Sequence, residues 1–169
     1  FDDVENGSWR NSENIYPHIL PKDKKERNLL PKYRDYLSDY MKTNEKLKPH
    51  IYFHHLNSSQ AMCLNFFYPL MKEKKLEIVL NAIGFKNERV NYDCVSFEKK
   101  SIIEKKYRAT FFDFYMETTS GKKIYFEIKY TEQQFGKAKF DKLHLNKFDK
   151  VYKNNLGSIS DRYSNEKDF

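Results

Sequence analysis

The stretch ATFFDFYMETTSGKKIYFEIKY, residues 109–130, constrains the fold more than any other part of the chain. Residues 110–118 and 122–130 are dense in aromatic side chains and alternate with period two, so each predicts a strand. Between them, Thr119-Ser120-Gly121 has the length of a three-residue hairpin loop. Such a loop takes a type I turn followed by a left-handed residue, and Gly121 stands where the positive φ is needed. Closure by that loop sets Thr118 against Lys122 and, counting back along both strands, Asp113 directly opposite Glu127. Lys129, two residues from Glu127, shares their face, while Phe112, Phe114, Met116, Phe126 and Ile128 are expected on the other. One face is apolar and the other carries chemistry.

Carboxylates set directly across a ladder have Cβ atoms about 4.5–5.5 Å apart, and like charges so placed are destabilising unless compensated. A divalent cation compensates them. Mg²⁺ is a hard ion that takes one or two protein carboxylates and keeps several waters, so it suits this pair better than a metal seeking Cys or His. The ammonium of Lys129 supplies positive charge at a phosphate or a water.

Asp113, thirteen intervening residues and then Glu127-Ile128-Lys129 resemble the active-site signature of the PD-(D/E)XK nuclease superfamily. The surrounding text extends the likeness. Asn57-Ser58-Ser59-Gln60-Ala61 and Asn65-Phe66-Phe67-Tyr68-Pro69-Leu70 on a helix, then strands, then Glu127-Ile128-Lys129-Tyr130-Thr131-Glu132, resemble a restriction-endonuclease-like branch over residues 52–136. The resemblance implies an α/β fold with a restriction-endonuclease-like αβββαβ core, a mixed central sheet flanked by helices, here with an N-terminal helical extension. It also implies that the backbone carbonyl of Ile128 joins Asp113 and Glu127 around the ion. Gln60 is the residue that the first core helix would send toward the metal or its waters. That helix has no carboxylate before Glu73, so one principal ion is expected: Mg²⁺, with Mn²⁺ able to substitute.

The rest of the chain is read around this hairpin. At 169 residues it fits one domain with a genuine core, divided into an N-terminal arm and helix (1–50), a nuclease-like core (51–153) and a polar tail or incomplete last element (154–169). The net charge of +7 favours a polyanionic partner such as nucleic acid, although charge by itself argues association and solubility. Cys63 and Cys94 read as buried free thiols. With no Cys-x-x-Cys pair, no secretory apolar segment and no bilayer-length apolar run in this sequence, a reducing, cytoplasmic setting without membrane contact is expected. The chain opens at Phe1, as an excised piece would.

Trp9, Ile15, Tyr16 and Ile19 are expected to pack an irregular arm. Tyr33, Tyr36, Leu37, Tyr40 and Met41 recur at helical spacing after Pro31, which suits a first turn. A tyrosine stripe of this kind reads as core. His50, His54 and His55 lack the spacing of a zinc site and suggest a surface or phosphate-contacting role. Asn57 or Ser58 caps the next helix, which Pro69 ends or restarts toward Ala82, and Gln60 and Asn65 on it satisfy backbone groups of neighbouring strands. Gly84 closes the helical region. A strand over 90–98 brings Glu98 beside the carboxylates, where it either orients water or a metal-bound ligand or simply ends the strand. Lys99, Lys100, Lys105, Lys106 and Arg108 crowd the connection into the Asp113 strand, where they would hold a phosphate backbone without reading its sequence. Phe140, Leu143, Phe148 and Val151 mark a helix over 137–152 that covers the sheet. A last strand, where present, falls around 158–163.

The sequence therefore leads to a Mg²⁺-dependent endonuclease in which Asp113, Glu127 and Lys129 are catalytic, acting on nucleic acid with DNA favoured. A homodimer is compatible with cutting both strands. Two other readings compete with it. One is an inactive nucleic-acid-binding domain that keeps the fold; the other is an exposed, salt-bridged sheet face with no site at all.

Overall fold

The computed structural model describes residues 5–10, 12–45, 47–104, 109–131 and 141–153. Two units follow from the packing: residues 1–99 with 112–131, and residues 100–111 with 132–169.

The first unit begins with two short antiparallel strands, β1 (Gly7–Ser8) and β2 (Ile15–Tyr16). Gly7 is required here, because a Cβ would sit 2.4 Å from the carbonyl oxygen of Leu20. Ile19 is buried and bridges to His55, whereas Ile15 stays exposed and does not help pack the arm. Trp9 stacks on Tyr52 at 5.4 Å.

A 3₁₀ turn at Pro31–Tyr33 leads into α1 (Arg34–Thr43). Proline is accommodated there because the first N–H groups of a helix have no intrahelical acceptor. Leu37 is fully buried and Tyr33, Tyr40 and Met41 pack against the core, so most of the tyrosine stripe is core, as its spacing predicts; Tyr36 alone turns outward.

Helix α2 (Ser59–Lys72) is capped by Ser58, whose hydroxyl accepts the Ala61 N–H at 3.3 Å. Contrary to expectation, Pro69 neither ends nor restarts it. The proline removes one backbone donor, a cost of about 3 kcal/mol in a helix interior. Burial of Ala61, Cys63, Leu64, Phe67 and Tyr68 offsets that cost, and the helix runs on to Lys72. It stops where Lys74 turns left-handed (φ 52°) and the Lys75 N–H reaches back to the Leu70 carbonyl at 2.7 Å. Helix α3 (Glu77–Ala82) follows, with Gly84 at φ 93° beyond its end.

Three strands form the second sheet in the order β3 (Val90–Lys100), β4 (Phe111–Thr118), β5 (Lys123–Phe126). The hairpin has the expected loop. Gly121 lies at φ 87°, and the Gly121 N–H donates to the Thr118 carbonyl at 2.9 Å. The ladder pairs Glu117 with Lys123, Met116 with Ile124, Tyr115 with Tyr125 and Phe114 with Phe126, the register counted from the loop. Phe114 stacks on Phe67 of α2 at 3.9 Å, and Phe126 meets the same ring at 5.0 Å, which seats the sheet's apolar face on the helix. These helices flanking antiparallel strands make a mixed α/β fold, consistent with the nuclease-like core that the resemblance implies.

Two details of the hairpin differ from strict alternation. The second strand ends at Phe126 rather than at Tyr130. Phe112 does not join Phe114 over α2; its ring lies 4.8 Å from Tyr125, which meets Tyr115 at 4.9 Å. Both departures occur beside Asp113, whose carboxylate takes the Ile128 N–H that a longer ladder would have bonded to backbone.

In the second unit the Ser101 N–H donates to the Thr110 carbonyl at 2.8 Å. Helix α4 (Lys142–Lys147) is capped by Asp141 and runs into a π turn, Phe148–Tyr152. Phe148 and Val151 are buried, but Leu143 is 79% exposed, so it leaves the apolar face expected of it. Lys137, Phe140 and the tail with its candidate last strand lie outside the described residues.

Candidate functional site

Glu98 on β3, Asp113 on β4 and Glu127 just beyond β5 are the acids that the sheet collects. Their common neighbour is Cys63 on α2. Burial first, and then the charges of Asp113, Glu98 and Glu127, push the Cys63 thiol pKa up.

Asp113 is half-buried and its Oδ2 accepts the Ile128 N–H at 2.6 Å. This short, charge-assisted bond ties β4 to the segment carrying Glu127 and Lys129. The ladder's last pair is Phe114–Phe126; Asp113 precedes it on β4, and Glu127 follows it just beyond β5. The Lys129 ammonium lies 2.7 Å from Glu127 Oε1, both side chains being substantially exposed.

Glu98 sits in the left-handed region at φ 49°, an unusual conformation for a non-glycine residue inside a strand. Its carboxyl is held above the usual carboxylate range by burial first. Gln60 opposes that shift by donating to it, and the negative charges of Asp113 and Glu127 add to it. The donor is Gln60 Nε2, 3.3 Å from Glu98 Oε1. Gln60 is itself fixed, since its Oε1 accepts the His50 N–H at 2.8 Å and its Nε2 also reaches the Lys48 carbonyl at 3.1 Å. Gln60 and Asn65 therefore satisfy loops rather than the strand backbones expected: Asn65 accepts the Leu30 N–H at 2.9 Å and donates to the Asn28 carbonyl at 2.8 Å.

Of the basic residues, Lys99 places its ammonium 4.3 Å from the Tyr115 ring centre, and Lys100 is exposed. Lys105, Lys106 and Arg108 lie outside the described residues.

The histidines require a correction. His54 and His55 are 4% exposed, not surface groups. His55 packs against Trp9, Tyr52, His54 and His18. Burial, then the charges of His54 and His18, lowers its pKa to about 4. Adjacent histidines in a polar-looking stretch gave no hint of this, because the arm that buries them is remote in sequence.

Cys63 was legible only as a core thiol. Its place one turn after Gln60 on α2 puts it on the stretch of helix whose Gln60 reaches Glu98. Glu104, a buried carboxylate of the second unit bonded by Thr110, Lys147 and Tyr152, carried no signal in its lysine-rich surroundings.

Among the described residues no three or more His, Cys, Asp or Glu side chains form a ready-made metal cage. The donors available are hard carboxylate oxygens, and burial first, then the charges of Asp113 and Glu127, hold the Glu98 carboxyl above its ordinary range. Mg²⁺, which needs only one or two carboxylates and keeps its waters, fits that donor set; a thiolate- or imidazole-seeking ion does not. No helix among the described residues is long and apolar enough to cross a membrane.

No match was found among curated proteins or among solved structures. A family model described as "Restriction Endonuclease associating with ARP" matches residues 4–168, nearly the whole chain. The chain therefore belongs to that restriction-endonuclease family.

Proposed function

We propose that this protein is a Mg²⁺-dependent endonuclease of the PD-(D/E)XK kind that hydrolyses phosphodiester bonds, preferentially in DNA. The observation that carries the proposal is the Asp113 carboxylate bonded at 2.6 Å to the Ile128 N–H of the segment that bears Glu127, with the Lys129 ammonium 2.7 Å from Glu127. Family membership and the net charge of +7 support a nucleic-acid substrate. The family description also names association with ARP, and we extend that association to this chain.

Asp113 and Glu127, with the Ile128 carbonyl, are the groups that would hold the ion. Bound Mg²⁺ would supply Lewis acidity at the phosphoryl group and a lowered pKa for an attacking water. Lys129 orients that water in line with phosphorus and offsets charge growing on the phosphate. Gln60 holds Glu98 in place, and Glu98 orients solvent at the same acids.

Incubation of the purified protein with plasmid, single-stranded DNA and RNA, with Mg²⁺ or with chelator, tests the reading. Cleavage that requires the metal and disappears in Glu127→Ala supports it. The Glu127–Lys129 ion pair favours a second reading, because a lysine so placed neutralises the carboxylate without a metal. Nucleic-acid binding with neither metal uptake nor product would establish that inactive, binding-only alternative.

A further inference from the structure

A concavity of about 400 Å³ has Tyr130, the residue next to Lys129 in the chain, in its wall. Asn28, Leu56, Met62, Asn65, Phe66 and Tyr130 line it, all in the first unit. Tyr130 directly follows Lys129, so the cavity wall is one residue from the group assigned to the phosphate.

Its surface chemistry is specific. Phe66 and Tyr130 are each 52% exposed and Met62 40%, a concentration of large apolar groups open to solvent. Phe66 stands edge-on to Phe67 at 4.9 Å, and Phe67 is clamped against Phe114 at 3.9 Å. The exposed ring therefore rests on the packed core. The amides are also fixed. Asn65 bridges the Leu30 N–H and the Asn28 carbonyl, and Asn28 Nδ2 donates to the Phe53 and His55 carbonyls at 2.8 and 2.6 Å. An amide oxygen has two lone pairs, and Asn65 Oδ1 spends one on Leu30.

No charged residue lines the cavity, and the lysine of the candidate site is the chain neighbour of Tyr130 in its wall. A neutral aromatic recess one residue along the chain from a cation matches the division of charge in a nucleotide, whose base is neutral and flat and whose phosphate is anionic. The volume falls within the range of about 300–1,000 Å³ typical of small-ligand sites, and bases stack on aromatic rings without regard to sequence. A base inside a duplex is not available for such a seat; an unpaired or extruded one is.

We propose that this recess holds one unpaired nucleobase of the strand whose phosphate meets Lys129, with Phe66 and Tyr130 as stacking surfaces and Asn65 Oδ1 as acceptor for a base N–H. The proposal rests on the nuclease reading and deepens it: the substrate would present a single-stranded or locally opened segment at the site.

Anisotropy of a labelled single-stranded oligonucleotide in chelator, where no metal-dependent cutting occurs, provides the test. An abasic residue is moved along the strand one position at a time. The expected result is one position at which loss of the base weakens binding by about tenfold, the same loss for Phe66→Ala on the intact strand, and recovery in Phe66→Tyr. The abasic effect should vanish in the Phe66→Ala background. Fluorescence of Trp9, the sole tryptophan, checks that each variant is folded. A flat abasic profile, or wild-type affinity in Phe66→Ala, overturns the recess as a base site. Metal-dependent cleavage alongside a flat profile leaves the nuclease reading standing and removes only this inference; base-dependent binding with no cleavage of any substrate does the reverse.

Discussion

The Asp113 carboxylate accepts the backbone N–H of Ile128 at 2.6 Å, so the first acid of the candidate site also fastens the segment that bears the second. Structure and chemistry are separable at this position. Asp113→Asn keeps an acceptor oxygen for Ile128 and loses the charge; Asp113→Ala loses both. Leaving a partly buried N–H without its acceptor costs about 1–3 kcal/mol. We expect Asp113→Asn to melt close to the wild type, Asp113→Ala to be destabilised by that amount, and both to lose metal-dependent cleavage. Thermal unfolding and a plasmid assay on the same samples decide the point, and an Asn variant that still cuts would remove Asp113 from the mechanism.

Lys129 and Glu127 form an ion pair whose side chains are 31% and 41% exposed. At that exposure the pair contributes about 0–1 kcal/mol, so Lys129→Ala should unfold as the wild type does. A cation aimed at developing phosphate charge matters far more to rate, and removing one such stabilising group typically lowers turnover by about 100- to 1,000-fold. Lys129→Ala is therefore expected to retain Mg²⁺ uptake in calorimetry and to lose cleavage by that factor.

The buried His55 makes stability depend on pH. Burial and the neighbouring His54 and His18 bring its pKa from the ordinary 6.5 to about 4 in the fold, and burial and the charge of Lys22 lower His54 as well. Between those values the unfolded chain binds protons that the native one does not, so stability is complete above pH 6.5 and falls as pH drops toward 4. Denaturation followed by Trp9 fluorescence should show that slope. His55→Phe should flatten it, since an apolar ring can occupy the Trp9–Tyr52 contact without titrating.

What the sequence displayed and what it hid divide by the range of the interaction. The hairpin register was readable because a three-residue loop with a glycine at φ 87° fixes it locally, and the Phe114–Phe126 pair follows by counting. Ser58 was readable as a cap for the same reason. Period-two counting broke down at Phe112 and after Phe126, where a side chain, Asp113, replaced a backbone acceptor. Local preference alone would end the helix at Pro69, and the burial of Phe67 and Tyr68 overrides it. His54 and His55 looked polar because nothing near them in sequence shows that Trp9, His18, Ile19 and Leu20 fold back over them; the Leu20 N–H donating to the His54 carbonyl at 2.9 Å is a contact across 34 positions. Gln60 and Glu98, 38 residues apart, meet for the same non-local reason.

Glu104 offers a test confined to the second unit. Burial alone would raise its pKa, but Lys147, Tyr152 and Thr110 all bond its carboxylate and bring the value down to about 2. Its unfolded value is near 4.5, so the native state gains stability above that pH and loses it as pH falls from 4.5 toward 2, the sign opposite to that of a raised carboxyl. Glu104→Gln keeps an acceptor for the Thr110 hydroxyl, now 2.9 Å away, but strands the Lys147 ammonium, which is 23% exposed. Breaking such a pair from one side costs about 3 kcal/mol, because the remaining charge is desolvated without its partner. Removing both charges in Glu104→Gln/Lys147→Met takes away that stranded group, so the double variant should be more stable than the sum of the two single losses predicts. Urea unfolding at pH 7 measures all four proteins in the cycle; strict additivity would mean that the Glu104–Lys147 contact contributes nothing to holding the loop and α4 together.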